Sequence, residues 1–425
     1  MANSDITRRR FLRTSMAAGA GAAVAGVAPA ALGRTAPNET IRVGIVGPGR
    51  RGQMLLDECI QFGKRYNARL TAVCDAWSIR RDQAARRTKD GQGDQPKVYK
   101  HLDDMLADDN IDAIIIGTAD HQHGKMLTQC VNADRDVYCE KPMANVMEDA
   151  NEALLATRKS GRIVQNGTQR RSWPKYRSAL KLMKQGLLGD IVKVDINGNA
   201  CSPYRWARPT EFVASAKEKD IDWKAFLMGK TDRPFDPKIY CCFRLFKEFS
   251  SGIIDQWMSH AIDAVHMLTG ASYPRSAVTH GGIYKYHDYR ENPDTIQVSF
   301  EYGEGEKKFL VSYAVNLINA SGRQNLIMGT RGTLEYEQGW RLHGNDVKFP
   351  DRIGETTEIV DDPTAMHQMA NWLDCVRRRS KDDLYCDENA GYGHSVACAM
   401  AAEAYWSGRR VEFDPKTGSL SHANG

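Results

Sequence analysis

Glycines at positions 47, 49 and 52 make a Gly-x-Gly-x-x-Gly turn, Gly47-Pro48-Gly49-Arg50-Arg51-Gly52, between a short apolar run and an amphipathic stretch. In a dinucleotide-binding turn each glycine has its own reason. Gly47 bends the chain, Gly49 lets the backbone approach a pyrophosphate, and Gly52 allows close helix–strand packing. The helix that follows offers amide donors and a positive dipole end to the phosphates, with Arg50 and Arg51 beside them. Asp75 closes the next apolar run, where a carboxylate is expected to meet the ribose hydroxyls of such a cofactor. A carboxylate there favours NAD and repels the extra phosphate of NADP. Arg80 and Arg81 pull the other way, so NAD is expected, with NADP as the alternative. Asp120-His121-Gln122-His123 has the residue types of a metal site. No third and fourth ligands stand nearby, and the run falls where a strand meets a helix. It is read as lining the crevice, and no metal is expected.

These groups work together only if strands deliver them to one edge. From Ile41 onward, short apolar runs alternate with amphipathic stretches, the pattern of strand–helix units around a parallel sheet. Strands are predicted over 41–46, 70–74, 111–116, 136–139 and 163–166, and helices over 53–62, 123–132 and 148–160. The run over 111–116 is nearly unbroken and β-branched, as expected when both faces of a strand are covered. After Gly167 the character changes. Residues 191–196 and 296–300 alternate with period two, which predicts a largely antiparallel sheet with one covered face. Residues 326–328 and 333–336 continue that sheet, and helices are predicted over 364–379 and 394–407. The fold class is therefore α/β: a Rossmann domain with a parallel sheet over 39–167, then a C-terminal α/β domain over 168–425 with a large, mostly antiparallel, open-faced sheet.

The chain has 425 residues, enough for two domains. Its formal charge of +5 comes largely from Arg8, Arg9, Arg10 and Arg13, so no nucleic-acid partner is expected. Thr7-Arg8-Arg9-Arg10-Phe11-Leu12-Arg13, followed by a mild Ala/Gly-rich stretch, reads as a twin-arginine export signal over 1–33. The expected location is the periplasm or another exported compartment. No later segment is apolar enough to span a bilayer, so no membrane insertion is expected once the signal is removed. The ten cysteines include Cys74, Cys130 and Cys139 in the expected core, with no Cys-x-x-Cys spacing. Buried free thiols are expected.

Val-Tyr-Cys-Glu140-Lys141-Pro142, at the end of a strand that follows the glycine turn, resembles the Gfo/Idh/MocA oxidoreductases. The resemblance continues through Gly167-Thr168-Gln169-Arg170-Arg171, Ser259-His260-Ala261-Ile262-Asp263 and Gly329-Thr330-Arg331-Gly332, across essentially the whole chain after the signal. It implies that the open face of the second sheet is an oligomer interface, so a homo-oligomer is expected. It implies that Lys141 projects toward a reacting carbinol and that His260 takes the hydroxyl proton. Hydride loss needs such a base within hydrogen-bond reach, and a cation stabilises the developing alkoxide. Thr118, Glu140 and His123, which matches a histidine often found there, are expected beside the cofactor. Members of the family commonly carry an aspartate four residues before the histidine. Here that position is Gln256, and Asp255 stands one residue earlier. On a regular helix Asp255 would point about 100° away. Either a local irregularity restores Asp255 to the site, or Gln256 does the positioning and supports a protonated His260 less. Arg170, Tyr176, Arg244 and Trp257 are expected to contact a sugar, since guanidinium planes and aromatic faces suit hydroxylated rings.

An exported protein has no replenished pool of dinucleotide, so its cofactor must be held tightly. The first reading is an oxidoreductase that moves a hydride between a sugar hydroxyl and bound NAD(P), similar to exported glucose–fructose oxidoreductases. The second is a glycosidase or lyase that oxidises a sugar transiently, eliminates, and re-reduces it, a chemistry without the paired carboxylates of ordinary glycosidases. The third is a non-catalytic sugar or dinucleotide sensor, which Gln256 would suit. The Glu140-Lys141-Pro142 element favours the first.

Overall fold

The computed structural model describes residues 39–423, and the segment read as an export signal lies outside them. Strands β1 (Ile41–Val46), β2 (Ala68–Cys74), β3 (Lys97–Tyr99), β4 (Ala113–Ile116), β5 (Asp136–Cys139) and β6 (Val164–Asn166) form a 6-stranded sheet in the order β3-β2-β1-β4-β5-β6. Every pairing in it is parallel. The order reverses between β1 and β4, and loops leaving the carboxyl ends of strands there diverge to open a crevice. Ile41, Val43 and Ile45 of β1 and Ile114, Ile115 and Ile116 of β4 have no exposed surface, which is why these strands read as plain apolar runs. The helix Ser78–Gln92 has no such signal. It buries only Ala84, Ala85 and Thr88, so its sequence carries no apolar stripe.

The second sheet is 10-stranded: β7 (Ile191–Asn197), β8 (Ser276–Gly282), β9 (Thr295–Tyr302), β10 (Phe309–Asn316), β11 (Gln324–Gly329), β12 (Thr333–Tyr336), β13 (Arg341–His343), β14 (Thr357–Glu358), β15 (Val411–Asp414) and β16 (Ser419–His422). The order is β14-β13-β12-β11-β7-β10-β9-β8-β15-β16, antiparallel except where β7 meets β10. Ile296, Val298 and Phe300 of β9 share one core with Ile262 and Val265 of the helix Ser259–Thr269 and with Val396 and Met400 of the helix Glu388–Ser407. Gln297 and Ser299 face outward. The architecture is thus α/β, with a parallel Rossmann sheet and a mostly antiparallel sheet covered on one face.

The division expected at 167/168 follows the chain more closely than the packing. The helix Gln368–Arg378 returns to the first sheet, where Met369, Trp372 and Leu373 join Ile41, Leu55 and Tyr138 in one core. That helix starts where the His367 ring accepts the Met369 N–H at 3.2 Å. The helix expected to start at His394 begins at Glu388, because the Asp387 carboxylate accepts the Ala390 N–H at 2.9 Å. Gly391 and Gly393 in its first turns blur the apolar pattern there. Cys74, Cys130 and Cys139 are buried free thiols in the core of the first sheet. Among the described residues no helix is long and apolar enough to cross a membrane.

Candidate active site

A cavity of about 1010 Å³ opens where the parallel sheet reverses order. Gly47, Gly49, Asp75, Thr118 and Lys141 line it on one side, and Arg205, Arg208, Arg244, Trp257 and His260 on the other. At one end the wall is backbone. Gly47 adopts φ +75°, and a Cβ there would lie 2.7 Å from the Thr118 Cα and amide nitrogen. A Cβ at Gly52 would lie 2.2 Å from the Gly47 carbonyl oxygen. At Gly49, by contrast, an added Cβ would meet only Arg80 Nη1, at 3.9 Å, so the middle glycine leaves an open cradle. The helix Arg50–Tyr66 starts here with no side-chain cap and no acidic residue in its first turn. Such an end suits an anion, and the cradle fits a dinucleotide pyrophosphate.

Side chains near this cradle are placed in different ways. Arg51 and Glu140, both expected at the cofactor, pair with each other at 2.7 Å on the cavity wall. Asp75 accepts the Trp77 N–H at 2.8 Å and the Tyr240 hydroxyl at 3.5 Å, and burial lifts its pKa to about 6. Arg81 donates to the Asp75 carbonyl oxygen at 2.5 Å, while the Arg80 guanidinium lies over the Trp77 and Phe212 rings at 5.3 and 5.8 Å. His123 is buried, with Nδ1 2.8 Å from the Pro142 carbonyl oxygen and Nε2 3.3 Å from that of Thr118. It ties the first-sheet loop to the Glu140-Lys141-Pro142 segment. His121 Nε2 lies 2.8 Å from the Phe226 carbonyl oxygen, and burial lowers its pKa to about 4. The metal-like run is therefore engaged with backbone carbonyls. Among the described residues no three His, Cys, Asp or Glu are gathered for an ion.

The part of the wall around Lys141 is built from side chains. Lys141 is buried, and its Nζ donates to the carbonyl oxygens of Asp255 at 3.2 Å and Gln256 at 3.0 Å, and to Gln256 Oε1 at 3.2 Å. These acceptors lie on Ile254–Met258, one turn of π-helix that runs into Ser259–Thr269. A π turn is a local irregularity of the kind that would re-aim Asp255. It does not bring the carboxylate to Lys141. Asp255 Oδ2 accepts the Ser251 N–H at 2.6 Å, and Oδ1 is buried without a partner. Gln256 makes the contact instead: its Oε1 faces Lys141 while its Nε2 donates to Asp120 Oδ2, which also accepts the Ser250 hydroxyl at 2.6 Å. Lys141, Gln256 and Asp120 thus form a connected line across the two halves of the chain.

The charges there follow from burial. Burial pushes the Lys141 amine below its ordinary range, against the opposing pull of Asp120 and Glu140. Burial and then the Asp120 charge raise the Asp255 carboxyl above its ordinary range. His260, on the first turn of its helix, lines the cavity without a hydrogen bond to any described residue. Burial, then the charges of Lys141 and Arg170, hold its ring well below the usual histidine range, so it stands neutral at pH 7. Arg171 fixes that helix by donating from Nε to both carboxylate oxygens of Asp263 at 2.9 Å.

Of the four residues expected at a sugar, Arg244 and Trp257 line the cavity. Arg170 and Tyr176 do not. Glu337 takes both, Arg170 by an ion pair at 2.8 Å and the Tyr176 hydroxyl at 2.7 Å, and Tyr176 has no exposed surface. Sequence reasoning passes over Asp120 as a carboxylate, since its histidine neighbours suggest a metal. It also passes over the loop carrying Arg205, Trp206 and Arg208, where no local pattern signals a site.

Family models match the chain twice: an oxidoreductase family's NAD-binding Rossmann fold over residues 41–168, and the C-terminal alpha/beta domain of such a family over residues 175–424. Inositol 2-dehydrogenase 1 of Saccharopolyspora erythraea is 32% identical over 181 residues, 42% of this chain and 51% of that protein. The chain spans only about half the length of that relative. Glycosyl hydrolase family 109 protein 2 of Shewanella sp. strain ANA-3 is 26% identical over 434 residues, 92% of this chain and 85% of that protein. The WlbA dehydrogenase of Bordetella pertussis, solved with NADH and UDP-GlcNAcA, is similar with a TM-score of 0.63 at 20% identity, covering 88% of this chain and 99% of that one. At that identity the likeness is one of fold.

Proposed function

Because the chain belongs to the Gfo/Idh/MocA family of NAD-binding oxidoreductases, we propose that it oxidises or reduces a carbinol of a sugar or sugar derivative, with a tightly held NAD(P). The observation that carries this reading is the cavity itself. A glycine cradle, Lys141 and neutral His260 line the same cavity. A dinucleotide held by the glycine cradle would supply a nicotinamide as hydride acceptor for the carbinol carbon. His260 takes the hydroxyl proton, since its unprotonated ring faces the cavity with no competing bond. Lys141 supports the developing oxyanion from a buried site. Gln256 holds Lys141 in place and passes the influence of Asp120 to it without adding a charge of its own.

Export completes the proposal. The twin-arginine segment carries the folded chain, with its cofactor, out of the cytoplasm, and copies associate through the uncovered face of the second sheet. Leu310 and Val278 are exposed apolar residues on that face. A reporter fused to residues 1–33 should leave the cytoplasm and stay inside when Arg8 and Arg9 are both changed to Lys.

The near full-length match to a glycosyl hydrolase family 109 protein favours a second reading. Oxidation at one ring hydroxyl acidifies the neighbouring C–H. Loss of that proton expels the glycosidic substituent, water adds, and the hydride returns, so no net redox change remains.

The deciding experiment uses protein purified without added dinucleotide. Acid-released cofactor is measured, then absorbance near 340 nm is followed with free sugars and glycosides. Stoichiometric cofactor whose absorbance changes with a free sugar supports the oxidoreductase. Glycoside cleavage with no lasting absorbance change supports the second reading. Protein that neither carries nor takes up NAD or NADP removes both and leaves the sensor.

A further inference from the structure

We infer that the substrate carries an acidic group, a carboxylate or a phosphate, and that Arg244 with Arg205 binds it beside Lys141 and His260. This rests on the sugar-oxidoreductase reading and narrows its substrate class. Among the described residues, Arg50, Arg80, Arg205, Arg208 and Arg244 all line the cavity with no carboxylate within ion-pair distance. That is more cationic charge than a dinucleotide consumes. Arg50 adjoins the glycine cradle, where amide donors also await the pyrophosphate, and Arg80 lies on Trp77 next to Asp75.

Arg208 lies over the Phe212 ring at 5.7 Å, the ring that Arg80 also covers, so it stands with the cations of the cofactor side; Arg205 and Arg244 belong to the reaction end. The Arg205 guanidinium lies over Trp257 at 5.6 Å, and Trp257 sits on the π turn between Gln256 and His260. Arg244 lies over Phe243 at 4.4 Å, and its Nε is buried with no hydrogen-bond acceptor. Burial disfavours its charge, and Arg208 and Arg205 add to that. Asp120 is the carboxylate that most offsets this, and its Oδ2 already accepts from Gln256 and Ser250. Neighbouring guanidiniums without acceptors, in a partly desolvated cavity, are costly unless a ligand supplies the missing anion. A neutral sugar fills the space but not the charge. The loop that presents Arg205 and Arg208 holds two bulky residues at positive φ, Tyr204 at 50° and Trp206 at 70°, a conformation such side chains seldom adopt.

The test is equilibrium binding to NAD-loaded protein, read by tryptophan fluorescence, with glucose, glucuronate and glucose 6-phosphate, and with galactose and galacturonate. At least one acid should bind about tenfold or more tighter than its neutral counterpart. The advantage should shrink between about 50 mM and about 500 mM salt. Arg244→Gln should abolish it, Arg244→Lys should keep part, and Arg205→Gln, at the exposed rim, should weaken it without risk to the fold. Glucuronate against glucose 6-phosphate separates carboxylate from phosphate. Should no sugar of the panel bind, inorganic phosphate decides: an Arg244-dependent rise in Tm over chloride at equal ionic strength supports the site, and none overturns it. Equal or tighter binding of the neutral sugars overturns the inference, as does an acid preference that survives in both Gln variants. Turnover of neutral sugars without acid preference sinks this inference alone. Acid-selective binding with no change near 340 nm for any sugar sinks the oxidoreductase reading alone.

Discussion

The two ends of the cavity are built by different means. The cradle is made of backbone whose shape demands glycine at two positions: Gly47 is pinned by Thr118, and Gly52 lies against the Gly47 carbonyl. The reaction end is made of side chains whose charges are set by burial and by one another: Lys141, Gln256 and Asp120 in line, with Asp255 and His260 beside them. The first fails by steric exclusion and the second by loss of charge balance. Substitutions should therefore separate binding from chemistry cleanly.

The sharpest test is Lys141→Met. Removing the buried amine should lower kcat by about 10²–10⁴-fold, the range for a lost proton-transfer or oxyanion-stabilising group. Acid-released NAD should stay near wild type. A variant that loses its cofactor together with its rate would join the two ends and break the comparison.

Gly47→Ala attacks the other end. The left-handed backbone alone costs about 1–3 kcal/mol for a non-glycine residue, and the approach to Thr118 adds to it. Urea denaturation should show a loss of that order, and the purified protein should carry little dinucleotide. An alanine variant that is fully loaded and stable would show that the turn yields, and that the cradle is not set by sterics.

How much of each end is legible in the sequence follows from the same contrast. The cradle is contiguous, so the spacing of Gly47, Gly49 and Gly52 announces it, and the apolar runs that become β1 and β4 frame it. The reaction end is not contiguous. Asp120 meets Gln256 across 136 residues, and its own neighbours, His121 and His123, point toward a metal. The resemblance singles out Lys141 and His260, yet the displaced aspartate leaves open whether Asp255 or Gln256 serves. The π turn leaves Asp255 turned toward Ser251 and gives the contact to Gln256, an outcome that only the backbone geometry reveals. The helix Ser78–Gln92 and the loop of Arg205 and Arg208 lack any apolar period, so composition gives them no address.

Asp255→Asn tests the charge-set end through pH. Burial and the Asp120 charge raise the folded carboxyl above its ordinary range, so over a window above that range the native state holds a proton that the unfolded chain has released. That contribution is present in full below about pH 4, the unfolded value, and is lost as pH rises through the raised native one. Wild-type stability to urea should therefore fall between pH 5 and pH 8 by more than that of Asp255→Asn. The difference grows by roughly 1.4 kcal/mol for each tenfold gain in proton affinity on folding. Asn still accepts the Ser251 N–H. Parallel pH profiles would mean that this carboxyl is no more perturbed than a surface one.

Asp75 is the case where the contrast is weakest, because a titrating side chain stands at the backbone-built end. Its carboxyl, lifted to about 6 by burial, is largely protonated below that pH and charged above it. Only the charged form repels a second phosphate on the adenosine ribose, and Arg80, on Trp77 and Phe212, stands ready to attract one. Wild-type protein should thus prefer NAD over NADP at pH 8 and lose part of that preference at pH 5. Asp75→Asn keeps an acceptor for the Trp77 N–H and removes the charge, so its preference should be weaker by roughly fivefold to tenfold at pH 8 and flat with pH. Fluorescence titration of both cofactors at the two pH values reads this directly. If the variant discriminates as the wild type does, cofactor choice lies with the shape of the cradle and Arg80, and the backbone-built end needs no titrating group at all.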